Sequence, residues 1–319
     1  MSGSDGGTSA PIPREARGAG YGTSLRRDLD ARGIVCFIGV HDVFSASLAG
    51  AHYDGLFLSG FGFAASHYGL PDVGFIAWPD MVGFLQRVRP VLPRHHLVVD
   101  IDDGYVDAEV AAHVVALLEA SGASAVVMED QARPRRCGHL DGKQLLGLEA
   151  YLEKLARVLH ARRDLFVIAR TDATGSEERM RRALAFEAAG ADAILVDGLE
   201  DLELLRELAK TLRRPLVFNQ IAGGKSPPCD LDELRELGVS MVNYSTPCLF
   251  AAHEGIERAM RDLQGSNGRL PAPRVGGVDL ARCNRVLTDN LARCAATGAG
   301  GEIPLAAPHR SRGGGPGGA

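Results

Sequence analysis

The 319-residue chain is predicted to fold as an α/β protein, a (β/α)8 TIM barrel forming a single domain between disordered Gly-rich termini. Three observations predict it. Eight short runs rich in Val, Ile, Leu and Phe recur without clean polar alternation, as strands of a parallel sheet covered on both faces require. Amphipathic helical segments separate them, and about 250 residues lie between the two ends, the length of eight βα units. The ends stand apart in composition: of 39 glycines, six fall in the first 22 residues and eight in the last 23, with few large apolar side chains to offset the entropy of ordering. The expected organisation is a tail over 1–22, a catalytic barrel over 23–264, an arm over 265–296 with one helix near Val278–Ala296, and a second tail over 297–319.

In chain order, the strands are expected at Ile34–Ile38, Gly55–Ser59, Leu97–Ile101, Ala125–Glu129, Phe166–Thr171, Ala193–Val196, Leu216–Asn219 and Met241–Tyr244. Helical periodicity marks Asp107–Ala120, Leu148–Ala161, Glu177–Ala189, Leu202–Leu212 and Asp230–Leu237. An open doubly wound sheet is the competing architecture. It needs a Gly-rich phosphate turn after an early strand, and Ser59-Gly60-Phe61-Gly62-Phe63 is a weak match to one.

Composition excludes several classes. A formal charge of -5 encodes no general attraction to nucleic acid or an acidic membrane. No apolar run approaches the roughly 20 residues of a spanning helix, and Met1 to Ser24 lacks the apolar centre of a secretory signal. A soluble, cytoplasmic protein is expected. Its six cysteines lack zinc or thioredoxin spacing and are expected to be mostly reduced, with Cys36 a small buried hydrophobe.

Barrel enzymes carry their chemistry at the carboxyl ends of the strands, and here those ends are polar. The second gives Ser59-Gly60, the third Asp100-Ile101-Asp102-Asp103-Gly104, the fourth Glu129-Asp130-Gln131, and the fifth Arg170-Thr171-Asp172. The sixth to eighth give Asp197-Gly198, Asn219-Gln220 and Tyr244-Ser245-Thr246. Asp100 and Asp102, two apart on one strand and both expected to face inward, join Glu129 of the next strand as an all-oxygen set suited to Mg²⁺ or Mn²⁺. A single Asp there would more simply cap a helix; three carboxylates at adjacent ends favour a metal. Arg135-Arg136-Cys137-Gly138-His139, with Lys143, surrounds one thiol with cationic groups, which should lower its pKa; an exposed basic loop is the plainer alternative. Arg170 suits carboxylate binding by its fork geometry, or an ion pair with Asp172.

Taken together, these stretches resemble the isocitrate lyase and phosphoenolpyruvate mutase superfamily from about Ile34 to Ile256. The likeness is carried by Leu58-Ser59-Gly60, Gly69-Leu70-Pro71-Asp72-Val73-Gly74, Asp100-Ile101-Asp102-Asp103-Gly104-Tyr105, Glu129-Asp130-Gln131, Cys137-Gly138-His139 with Gly142-Lys143, Ala169-Arg170-Thr171-Asp172-Ala173, and Asn219 with Gly223-Gly224. The resemblance implies the same barrel in a homo-oligomer, a tetramer or dimer, with terminal helices exchanged between subunits. It implies Mg²⁺ on Asp100, Asp102 and Glu129, and a small carboxylate substrate bound by Ser59, Gly60, Phe61, Asp72, Gly138, Asp197 and Asn219. It implies catalytic roles for Cys137, Arg170, His139 and Arg136, with Cys137 as proton donor to an enolate. The mutases lack that cysteine, so the lyase branch is expected: cleavage of a malate-like 2-hydroxy or 2-oxo dicarboxylate. Oxaloacetate hydrolysis and phosphorus–carbon mutase chemistry are the rivals within the fold, and a silent metal-binding scaffold the rival outside catalysis.

Several positions depart from the lyase pattern. Arg135 stands for the loop lysine, Asp197 for a glutamate, Ala222 for an acid and Ala251 for an arginine that helps hold a second carboxylate, and Asp103 adds a negative group. A tricarboxylate substrate is therefore not expected.

Overall fold

The computed structural model describes residues 20–139, 142–270, 272 and 277–298. Eight parallel strands, β1 (Val35–Val40), β2 (Gly55–Leu58), β3 (His96–Asp100), β4 (Ala125–Glu129), β5 (Phe166–Thr171), β6 (Ala193–Val196), β7 (Leu216–Gln220) and β8 (Met241–Tyr244), pair in sequence order. The ring closes where β8 returns to β1, with Val35 beside Met241 and Ile38 beside Tyr244. The helices are α1 (Tyr21–Arg32), α2 (Val43–Ala49), α3 (Gly60–Phe63, running into a π turn at Ala64–Tyr68), α4 (Trp78–Val88), α5 (Ala108–Ala120), α6 (Leu148–Ala161), α7 (Ser176–Ala189), α8 (Leu202–Thr211), α9 (Leu231–Glu236), α10 (Pro247–Gly265) and α11 (Leu280–Gly298). No helix among the described residues is long and apolar enough to cross a membrane.

Unalternated strands have a plain cause. Outward residues such as Leu56, Leu97, Val126, Val167, Ile194 and Phe218 join the core shared with the helices. Inward residues form a second cluster inside the barrel, including Phe37, Phe57, Val98, Val127, Ile168, Leu195, Val217 and Met241. Both faces are buried, so both are apolar. Moving two residues along each strand from that inner cluster reaches Gly39, Ser59, Asp100, Glu129, Arg170, Asp197, Asn219 and Asn243. Here apolar filling stops and the polar carboxyl end begins.

Local sequence fixes the helix starts. Asp42, Asp107, Asp201 and Asp230 each accept a backbone N–H in the first turn of the following helix. The first helix is capped from afar. Asp164, in the loop before β5, accepts from Gly22 N at 2.8 Å and Thr23 N at 2.9 Å, while Leu25 and Leu29 close the amino end of the inner cluster. The stretch expected as a tail therefore ends sooner: Tyr21 and Gly22 are already helical, and residues 1–19 lie outside the described residues. The arm's helix is present two residues later than expected, its Asn290 donating to Ser47 Oγ of α2 at 2.8 Å. Of the second expected tail, Thr297 and Gly298 are helical and 299–319 lie outside the described residues. All six cysteines are free, and Cys36 packs partly buried against the outer core.

Candidate active site

Asp100 ends β3 and faces into the barrel mouth. Asp102 arrives by a different route from the strand alternation expected of it. It has left the strand and sits in a turn at φ 52°, with its amide donating to Asp100 Oδ1 at 3.1 Å. Glu129 N donates to Asp102 O at 2.8 Å, which pins this turn to the end of β4. Asp100, Asp102 and Glu129 are all buried.

Between them lies the guanidinium of Arg135. Nε donates to Glu129 Oε1 at 2.7 Å, Nη1 to Asp72, and Nη1 stands 3.3 Å from Asp102 Oδ1; Arg135 is 1% exposed. Among the described residues no three Asp, Glu, His or Cys side chains already surround one point as ligands. The donor set nonetheless fits a hard divalent cation. Asp102 Oδ2 and Glu129 Oε2 are buried without a hydrogen-bond donor, although Oε2 stands 3.2 Å from Arg170 Nη2. Burial also pushes the Glu129 carboxyl up to about 7 against the opposing pull of Arg135 and Arg170, with Asp172 adding repulsion. Burial, joined by repulsion from Asp100, Asp72 and Glu129, raises Asp102 well above the usual carboxylate range despite Arg135. Buried oxygens short of positive charge are what a cation site offers.

Arg170 lies across the mouth. Its Nε and Nη2 meet Asp172 at 3.1 and 3.0 Å, and Nη2 also reaches Asp197 Oδ2 at 2.8 Å. The ion pair with Asp172 is thus present, yet Arg170 still lines the cavity. Although burial pushes Asp197 up, Arg170, His139 and Asn219 together hold its carboxyl well below the usual range. His139 Nδ1 accepts from Lys225 N at 2.9 Å, so the ring proton belongs on Nε2, which stands 3.4 Å from Asp197 Oδ1.

The loop after β4 is closed over this group. Gln131 Nε2 donates to Arg136 O at 2.7 Å and to Asp172 Oδ2 at 3.1 Å, and Gln131 Oε1 accepts from Arg136 N at 2.9 Å. Lys143 Nζ donates to Gly138 O and stands 3.3 Å from Asp172 Oδ1. Gly138 passes so close that a Cβ there would overlap Asp197, Arg170 and Asp172. Only glycine permits the approach.

Phe57, Ser59, Phe61, Asp72, Asp100, Val127, Cys137, Gly138, His139, Arg170, Leu195, Asp197, Asn219, Ile221, Asn243 and Ser245 line a cavity of about 30 Å³. Most residues expected at the site come together here. Gly60 sits beside it, its N donating to Asp100 Oδ2 at 3.3 Å, and Ser59 Oγ caps α3 through Gly62 N.

Four expectations need correction. Arg136 is exposed and points away from the cavity, because Arg135, satisfied by carboxylates, is the loop's inward cation. Cationic neighbours do not bring the Cys137 thiol below its ordinary value. Burial, with Asp197 and Asp72 adding repulsion, pushes it up to about 11 against the pull of Arg170. Asp103 adds no free charge to the mouth, since Arg133 grips it at 2.9 and 2.8 Å. Ala251 belongs to α10, is exposed, and does not line the cavity.

Sequence reasoning placed Asp130 and Ser245 among the polar strand ends without a role, and missed Asn243. Asp130 is a scaffold, accepting from Thr171 Oγ1 at 2.6 Å, Asp172 N at 3.0 Å and Arg182 Nη1 at 2.9 Å. Asn243 and Ser245 form a polar wall with Asn219. The two-residue step from Met241, inside the barrel, to Asn243 was the available signal.

Comparison with known proteins agrees with this geometry. The family model described as phosphoenolpyruvate phosphomutase matches residues 25–264. A 2-methylisocitrate lyase of Aeropyrum pernix is 35% identical over 246 residues, covering 76% of this chain and 79% of that protein. The crystal structure of 2,3-dimethylmalate lyase superposes with a TM-score of 0.81 at 29% identity, covering 89% of this chain and 97% of that one. Phosphonopyruvate hydrolase in complex with oxalate and Mg²⁺ gives a TM-score of 0.73 at 27% identity, covering 88% and 99%. Barrel, closed loop and carboxylate cluster therefore have one explanation in common: the chain belongs to the isocitrate lyase and phosphoenolpyruvate mutase superfamily.

Proposed function

We propose that the chain is a Mg²⁺- or Mn²⁺-dependent carbon–carbon lyase that cleaves a malate-like, alkyl-substituted 2-hydroxy dicarboxylate to a 2-oxo acid and a smaller carboxylate. The observation that carries this reading is Cys137: a thiol on the cavity wall, kept neutral by burial up to about pH 11, beside Arg170 and within the same cavity as Asp100. A neutral thiol can give a proton to a carbanionic carbon, which an exposed thiolate cannot.

Asp100, Asp102 and Glu129 would hold the metal, which when bound supplies Lewis-acid stabilisation of the oxygen charge that develops on cleavage. Arg170 binds a substrate carboxylate through its fork and keeps its place through Asp172 and Asp197. A carboxylate lining the cavity, Asp72 or Asp100, takes the proton of the substrate's 2-hydroxyl, whose oxygen becomes the carbonyl of the 2-oxo acid. The electron pair of the breaking carbon–carbon bond passes to the enolate of the departing carboxylate, and Cys137 Sγ–H delivers a proton to its carbon. The thiolate regains a proton before the next turnover. His139, locked by Lys225 N and Asp197, holds the loop closed, and the closed loop excludes water that would protonate the enolate unselectively. We also propose a homo-oligomer; its support is the exposure of Phe250, Ile256 and Met260 on α10, a helix with no buried residue.

Proton NMR of the protein with Mg²⁺ tests the reading against isocitrate, methylisocitrate, citramalate, 2,3-dimethylmalate, oxaloacetate and phosphoenolpyruvate. A 2-oxo acid and a carboxylate appearing together from one of the malates is the expected result. Oxalate from oxaloacetate would replace the lyase by a hydrolase, and phosphonopyruvate from phosphoenolpyruvate by a mutase. Silence across the whole panel, with tight metal binding, would favour either a scaffold or a substrate outside the panel.

A further inference from the structure

The wall formed by β7 and β8 contains a buried acceptor that no donor among the described residues satisfies. Asn243 lies on β8 opposite Asn219 of β7, lines the cavity and is 7% exposed. Its Nδ2 donates to Ser245 Oγ at 2.9 Å and to Asn219 Oδ1 at 3.3 Å. Ser245 Oγ donates to Asn219 Oδ1 at 2.6 Å, and Asn219 Nδ2 donates to Asp197 Oδ1 at 2.8 Å. A carboxylate only accepts, so Asp197, held ionised by Arg170, fixes the direction of the whole chain. Each amide must present its N–H groups toward Asp197. Asn243 is the last link, and its Oδ1 is left buried with no donor.

We infer that this end of the cavity receives a neutral hydrogen-bond donor of the substrate, a hydroxyl or primary amide on the carbon substituent, at Asn243 Oδ1. The inference rests on the lyase reading of the same cavity and narrows its substrate class. A purely alkyl substituent would leave the acceptor unmet, an expensive state for a buried polar atom. A carboxylate would set acceptor against acceptor, and the permanent cation that lines the cavity, Arg170, belongs to β5. Apolar Phe57, Leu195 and Ile221 accommodate the substituent's carbon stem. A site built to pair a polar group discriminates against the isostere that lacks it more sharply than an apolar pocket discriminates by size.

The test compares isosteric pairs. Calorimetry with Mg²⁺ measures binding of 2-(hydroxymethyl)succinate and 2-ethylsuccinate, which lack the 2-hydroxyl and cannot be cleaved. The hydroxymethyl ligand should bind about tenfold more tightly, and the preference should vanish in Asn243→Leu. Asn243→Ala serves if the leucine variant melts early. Equal affinities, no binding of either ligand, or a preference that survives in a folded variant overturns the inference. Turnover of 3-(hydroxymethyl)malate and 3-ethylmalate separates the two readings. Equal cleavage of both sinks the donor pocket and keeps the lyase. A binding preference without cleavage of any malate keeps the pocket and sinks the lyase.

Discussion

The two halves of the barrel mouth are built on opposite electrostatic plans. Around β3 to β5, buried carboxylates and two buried arginines share contacts, with Arg135 and Arg170 both reaching Glu129. Around β7 and β8 the side chains are amides and a hydroxyl, joined in one directed chain that ends at Asp197. Charge–charge energies in a buried site are large and tolerate a change of partner. Amide chains are weaker, but each link has a fixed sense. The first half therefore suits stabilisation of charge that develops during a reaction, and the second suits selection among neutral groups.

Variants can break that contrast, and the largest effects are expected on the charged side. Cys137→Ser should lower kcat/KM by about 10²–10⁴-fold, the range of a lost general acid, with Mg²⁺ affinity kept. Near-full activity would remove the thiol from the mechanism. Arg135→Met strands Asp72, Asp102 and Glu129 without their internal cation, so urea unfolding without metal should show a loss of about 3–5 kcal/mol. Added Mg²⁺ should recover part of that loss, and an equal deficit with and without Mg²⁺ would separate Arg135 from the cation site.

The next effect is one of pH. The Cys137 thiol rises from 9.0 to about 11 on folding, so between those values the unfolded chain sheds a proton that the folded chain keeps. Its contribution is fully present below pH 9 and is lost as pH climbs toward 11. Alkylation of Cys137 by iodoacetamide should accelerate up to about pH 11; a plateau near pH 9 would mean that the loop leaves the thiol in water. On the uncharged side, Ser245→Ala removes one donor and one acceptor and should cost only about 1–2 kcal/mol in the same urea experiment. A cost matching that of Arg135→Met would erase the distinction between the halves.

Strands were the most legible part of the molecule. Ala125–Glu129, Phe166–Thr171, Ala193–Val196 and Met241–Tyr244 are read from apolar runs alone, because both faces of a barrel strand are buried. Helices α1, α2, α3, α4 and α10 are not among the helical segments named from the sequence, and for α2 and α3 the reason is length. At seven and four residues they are too short to show a helical period, and their caps, Asp42 and Ser59, resemble ordinary loop residues. Within the site, acids and the Cys137 loop stand out because their residue types are rare at strand ends. Which of Arg135 and Arg136 turns inward is decided by carboxylates from three separate segments, at Asp72, Asp102 and Glu129, and adjacent arginines carry no local signal of that choice. The thiol's pKa followed the same rule: cationic neighbours are visible in sequence, whereas burial is a property of the closed fold.

Asp164 ties the chain's first helix to a segment 142 positions further on. A helix of twelve residues with no side-chain cap of its own is marginal in water, so α1 gains little until the α6–β5 loop has been made and folded. During synthesis Leu25 and Leu29 must wait in solvent while more than half of the barrel emerges. The seal at the barrel floor is thus expected to form late in folding and to be among the first parts to open, which makes Asp164 a handle on unfolding rate, separate from the chemistry at the opposite end.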